Sequence, residues 1–194
     1  FSASAVMIGW LGSQPLAAHQ VALSMAAVSF MIILGISTAG TIRVGNAVGR
    51  EDAAGVRFSG FLVILFAACV MGFFGVLFVL FRESLPLLFI SEPGVVIIAA
   101  ELLIVAAFFQ ISDGVQASGL GVLRGIKDVK VPMWISFVAY WVIGLPVGYL
   151  LGFYAGMGVT GIWIGLLVGL TIAALFFVIR FHKKTQLVPA VRPV

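Results

Sequence analysis

The chain has 194 residues, 62% of them hydrophobic and only 9% charged, with a net charge of +4. Soluble domains carry about a quarter charged residues, so this composition excludes an ordinary water-soluble fold. The basic excess lies in short loops between apolar stretches, where the loop-charge rule of membrane proteins explains it without a nucleic-acid partner.

Six apolar segments follow in chain order: Phe1 to Gly12, Ala17 to Ile42, Phe58 to Phe81, Val95 to Leu123, Met133 to Tyr154 and Val159 to Phe181. They are apolar all round rather than alternating, which predicts helices and not barrel strands. The expected fold is therefore all-α and integral to the membrane, with six transmembrane helices over residues 1–181 and a tail over 182–194. Segment one is too short for a bilayer core, which takes about 20 helical residues; the chain also starts without Met, so the reading is a truncated first helix in a fragment. Leu85 to Ile90 is too short to cross and reads as an interfacial turn of helix. No basic stretch precedes the first segment, so no cleavable signal peptide is expected.

If every segment crosses, one side holds Arg43, Arg50, Arg57, Arg124, Lys127, Lys130, Arg180, Lys183, Lys184 and Arg192, and the other only Arg82. The positive-inside rule puts the rich side, and both chain ends, in the cytoplasm. Gly144, Gly148 and Gly152 on the fifth segment and Gly161, Gly165 and Gly169 on the sixth recur every four residues, the pattern of close helix packing. Pro146 bends the fifth helix, either as a hinge or as a static kink.

Of the seven acids, Glu51, Asp52, Glu83, Glu92 and Asp128 fall in loops and read as solvated. Glu101 and Asp113 lie inside the fourth segment, where an ionisable group marks a pathway or ion site. Counting from Arg124, Asp113 is about 16 Å deep and Glu101 about 34 Å, so Asp113 is near mid-membrane and Glu101 near the outer interface. The twelve-residue spacing also turns them about 120° apart, so they are not a paired site, and Glu101 is a secondary candidate only.

Gln110, Gln116 and Phe109 stand three or four residues from Asp113, a spacing that predicts a cation shell of carboxylate, amides and an aromatic ring. The alternative is that the glutamines bond to neighbouring helices. Gly114, Ser118, Gly119 and Gly121 thin the helix next to Asp113, for close packing or for an aqueous cavity. On the second helix Gln20 is a candidate cavity residue, and His19 either titrates or makes an interfacial hydrogen bond.

No nucleophile–base set is visible, so no enzyme and no cofactor are expected. Cys69 is the only cysteine, which excludes an internal disulfide, and one Cys with two His is too few for zinc. Gly45 to Gly49 has neither the lysine nor the spacing of a phosphate-binding loop, which argues against ATP-driven transport by this segment.

Four stretches in register carry a resemblance. They are Pro15 to Leu23; Thr41 to Gly45 with Gly49; Phe109 to Asp113 with Gln116 and Leu123 to Asp128; and Tyr140-Trp141 with Gly144 to Pro146 and Gly148-Tyr149. Together they resemble the multidrug and toxic compound extrusion family, in its NorM-like branch. The resemblance implies one six-helix lobe, the C-terminal, of a twelve-helix transporter whose lobes are related by a pseudo-two-fold axis. It implies a secondary antiporter exporting organic cations and other drugs against Na⁺ or H⁺, with the N-terminal lobe of the same polypeptide and the lipid bilayer as partners.

By the same resemblance Asp113 binds the coupling ion, as the ligand of any Na⁺, and Phe109 replaces a frequent tyrosine that could ligate a cation through its hydroxyl. The resemblance also implies a glutamate on the first of the six helices, about one turn upstream of Phe1. Two other readings compete. One is a flippase for lipid-linked oligosaccharide, disfavoured because no Lys or Arg lies inside an apolar segment; the other is a non-transporting membrane scaffold.

Overall fold

The structure, a computed structural model, describes residues 2–186. Phe1, at the head of the first segment, and the tail beyond Gln186, with Arg192, lie outside the described residues. Six helices account for the apolar segments: α1 Ser2–Gly9, α2 Ser13–Gly49, α3 Ala53–Leu80, α4 Pro93–Gly125, α5 Lys130–Tyr154 and α6 Gly158–Gln186. The last five are long and apolar enough to cross a membrane. Between α3 and α4 the chain makes one short 3₁₀ turn, Pro86–Leu88, where an interfacial turn was expected.

The helices overrun the apolar segments at the end carrying the basic loops. α2 continues from Ile42 through Arg43 to Gly49, and α6 through Lys183 and Lys184 to Gln186. Backbone hydrogen bonding inside a helix does not depend on side-chain polarity, so a helix need not stop where its apolar face does.

α2 and α4 end in the same way. Glu51 and Lys127 take left-handed backbone, with φ of 57° and 60°. The next amide then reaches back five residues, Asp52 to the Ala47 carbonyl and Asp128 to the Leu123 carbonyl, both at 3.0 Å or less. This is the Schellman stop that satisfies the last carbonyls of a helix. The two aspartates then diverge. Asp52 caps α3 by accepting from the Gly55 amide at 2.8 Å. Asp128, expected to be solvated, is instead largely buried in an ion pair with Arg180 of α6.

α4 is the centre of the lobe and packs on α2, α3 and α6. Small residues permit this. A Cβ on Gly75 of α3 would lie 2.7 Å from the Ala107 carbonyl oxygen, and one on Gly121 of α4 2.7 Å from the Ser37 carbonyl oxygen of α2. Ser37 donates to the Ala117 carbonyl at 2.8 Å, and Thr41 sits 2.9 Å from both the Ser37 and the Gly121 carbonyls. Gly114, Gly119 and Gly121 therefore serve close packing, against α3, α6 and α2 respectively.

α5 and α6 pack along their glycine stripes. A Cβ on Gly161 would lie 2.6 Å from the Leu151 carbonyl carbon, and one on Gly165 2.7 Å from the Gly144 carbonyl oxygen. α5 is not a uniform α-helix: Val138–Gly144 and Leu150–Tyr154 are wound as π-helix on either side of Leu145–Tyr149. Pro146 supplies the reason for the first of these. Its ring crowds the carbonyl one turn earlier and it donates no hydrogen bond, and widening the preceding turn shifts the bonding to the i−5 pattern seen from the Leu145 amide to the Tyr140 carbonyl.

Candidate functional site

Between the helices lies a cavity of about 620 Å³. α1 contributes Ser2 and Ala3, α2 contributes Leu23, Ala26, Ala27 and Phe30, and α6 contributes Leu166 and Leu170. From α4 come Phe109, Asp113 and Gln116, and from the π-wound part of α5 and its continuation come Tyr140, Trp141 and Leu145. The wall is thus largely apolar and aromatic, with a carboxylate, an amide and a phenol as its strong polar groups.

Asp113 is 8% exposed. Among the described residues it forms no ion pair and no hydrogen bond through its carboxylate. The neighbouring Ser112 is used elsewhere: its hydroxyl lies 2.8 Å from that of Thr171 on α6, which itself donates to the Leu167 carbonyl at 2.7 Å. One helix position away, the polar side chains are satisfied, whereas the acid faces open space.

The predicted shell divides. Phe109 and Gln116 join Asp113 at the cavity wall. Gln110 does not: it is fully buried and its amide donates to the Ser29 hydroxyl of α2. At about 100° per residue, Gln110 and Gln116 flank Asp113 on opposite sides, about 120° apart, so one can face the cavity while the other faces α2.

Gln20 is exposed and outside the cavity lining. It shares a helix face with Ala27 but lies seven residues, about 10 Å, further out. Glu101 is also exposed and away from the cavity. His19 lies six residues into α2 and faces the protein. It is fully buried, and its Nδ1 accepts a hydrogen bond from the Trp163 indole N–H at 3.1 Å.

Tyr140 and Trp141 line the cavity but were read in the sequence only as part of a family stretch. The usable signal was an aromatic pair immediately before the Gly144–Pro146 break, because π-wound turns are frequent at functional sites. Among the described residues no group of three or more His, Cys, Asp or Glu side chains could hold a metal ion. Cys69 is exposed on α3. A cation in the cavity would meet one carboxylate, amide and phenol oxygens and ring faces.

Residues 1–150 match the MatE family model. The chain is 40% identical over 191 residues to a multidrug resistance protein NorM of Burkholderia vietnamiensis, covering 96% of the chain and 41% of that protein. It is 41% identical over 189 residues to a multidrug resistance protein MdtK of Yersinia enterocolitica, covering 94% of the chain and 41% of that protein. It therefore spans about two fifths of the length of these relatives. Among solved structures, an outward-facing multidrug resistance MATE family transporter superposes with a TM-score of 0.86 at 19% identity, over 96% of the chain and 41% of that structure. An inward-facing conformation superposes with a TM-score of 0.84 at 18% identity, over 98% and 43%. The helical lobe, the sequence match over three quarters of its length and the shared fold lead to one assignment: this multi-pass membrane chain belongs to the MatE family of transporters.

Proposed function

We propose that the chain is the C-terminal lobe of a secondary multidrug antiporter of the inner membrane, exporting organic cations in exchange for Na⁺ or H⁺. The observation that carries this reading is the Asp113 carboxylate, buried and opening without a partner into a cavity of about 620 Å³, at a position that counting from Arg124 puts near mid-membrane. An unpaired acid at that depth is costly and is kept where it serves an ion. The apolar and aromatic wall suits the body of a lipophilic cation, and ring faces attract its charge. A drug cation and a coupling ion compete for one carboxylate, so release of one favours binding of the other.

The lobe's likeness to both outward- and inward-facing structures supports a fold that moves as a body, with access alternating between the two membrane faces. The N-terminal lobe of the same polypeptide would form the other half of the pathway. Ten Lys and Arg against one favour cytoplasmic ends, with 182–194 as a cytoplasmic tail that begins within the last turn of α6.

Efflux from cells expressing the full-length protein tests the reading. Asp113→Asn abolishes coupled export of a fluorescent cation at unchanged expression, and Na⁺ and pH gradients imposed separately identify the ion. Undiminished drug resistance in that variant would sink the proposal.

A further inference from the structure

Three rings run from the outer part of the core to the cavity wall. His19 on α2 is fully buried, and its Nδ1 accepts from Trp163 Nε1 on α6 at 3.1 Å. The two rings meet edge-on, with centroids 5.8 Å apart and planes at 73°. Trp163, 1% exposed, in turn meets Phe109 of α4 with centroids 5.8 Å apart and planes at 60°. Phe109 stands one turn from Asp113 and lines the same cavity.

The hydrogen bond fixes more than a distance. A neutral imidazole that accepts at Nδ1 carries its proton on Nε2. That Nε2 is buried with no partner among the described residues, as is the Ser4 hydroxyl of α1. The two positions lie at similar depth, five and six residues from the helix ends that flank the turn between α1 and α2. A buried histidine with an unmet donor is a poor choice if apolar filling were the only need, because a leucine would fill the space without that cost. What leucine cannot do is accept the indole N–H and so hold the Trp163 ring at a set angle.

We infer that His19 is a positioning residue that, through Trp163, sets the orientation of the Phe109 ring and so tunes the affinity of the Asp113 cavity for aromatic organic cations. The ring face of Phe109 attracts a cation only in some orientations, and its edge carries the opposite sign. This deepens the transport reading above and rests on it.

The experiment measures equilibrium binding of tetraphenylphosphonium to purified full-length protein, together with its thermal midpoint and the KM and kcat of export. His19→Leu weakens binding roughly five- to tenfold and raises KM, while kcat stays within about twofold. His19→Asn, whose Oδ1 is bonded to Cγ as Nδ1 is in histidine, restores the acceptor and recovers wild-type affinity. Trp163→Phe reproduces the His19→Leu loss, and the double variant is no weaker than either single one, the non-additivity expected of one shared contact.

If His19→Leu does not fold, His19→Asn and Trp163→Phe still decide the matter. Unchanged affinity in Trp163→Phe, or an Asn variant as weak as the Leu one, overturns the inference. A His19→Leu variant that loses thermal stability but keeps Kd and KM overturns it as well. Should Asp113→Asn bind and export tetraphenylphosphonium normally, the transport reading itself fails; should Asp113→Asn fail to export while His19→Leu binds normally, only the role of His19 does.

Discussion

Arg180 grips Asp128 through both carboxylate oxygens, Nε to Oδ2 at 2.6 Å and Nη2 to Oδ1 at 3.1 Å. The pair joins the turn after α4 to α6, across 52 residues of sequence, and its side chains are 12% and 25% exposed. A two-point fork of this kind is geometrically specific, and lysine cannot reproduce it. Partial burial places its worth between a surface pair and a fully buried one. Asp128→Asn or Arg180→Lys should each cost about 1–3 kcal/mol of stability. A thermal melt of the purified full-length protein checks this, and an unchanged midpoint in both variants would show the bridge to be idle.

The two glutamines of α4 separate a packing role from a binding role. Gln110 bonds to Ser29 across to α2, and interhelical bonds of this kind in membranes contribute about 0.6–2 kcal/mol. Gln110→Leu should lower the thermal midpoint with little change in cation affinity at constant folded fraction. Gln116→Leu, at the cavity wall, should do the reverse. Binding titrations and melts on the same two preparations decide, and the prediction fails if the two variants exchange behaviours.

Close helix packing is testable at Gly165. Its missing side chain lets α6 lie against the α5 backbone around Gly144 and Gly148. Backbone cannot swing aside as a side-chain tip can, so Gly165→Val must push the helices apart. A loss of about 1–3 kcal/mol is expected from overpacking alone. Gly9, with open space around its position, should accept alanine with no comparable effect on yield or melting.

Much of the architecture was legible because lipid leaves a chain few options. Unpaired backbone is forbidden there, so the long apolar runs had to be helices. The glycine stripes predicted close helix packing for the same reason, since small residues every four positions serve little else in a membrane; that the two stripes face each other came from the structure. Facing was less legible. α4 packs on three other helices, so polar and apolar positions alike are buried along it and periodicity does not tell a cavity wall from a helix contact. Gln110 and Gln116 look equivalent in sequence and differ only in which neighbour they meet. For His19 a hydrogen bond was expected, but its donor, Trp163, comes 144 residues later and could not be named from the sequence. Asp128 was misread as solvated because a loop position does not show that Arg180 will fold over it.

The turns after α2 and α4 carry a local cost that substitution can relieve. Glu51 and Lys127 both hold left-handed backbone, which crowds Cβ against the following carbonyl oxygen and costs about 1 kcal/mol relative to glycine. Neither side chain forms an ion pair across the fold among the described residues, so little is lost with it. Lys127→Gly should therefore raise stability by a few tenths to about 1 kcal/mol, reduced somewhat by the greater freedom of glycine in the unfolded chain. Lys127→Val, whose β-branch sharpens the clash, should lower it. Because Asp128 follows directly, the gain also depends on the Asp128 amide keeping its 2.9 Å bond to the Leu123 carbonyl. Paired melts of the two variants test the sign: a Gly variant less stable than wild type, or a Val variant equal to it, would mean that the turn is held by something other than this backbone geometry.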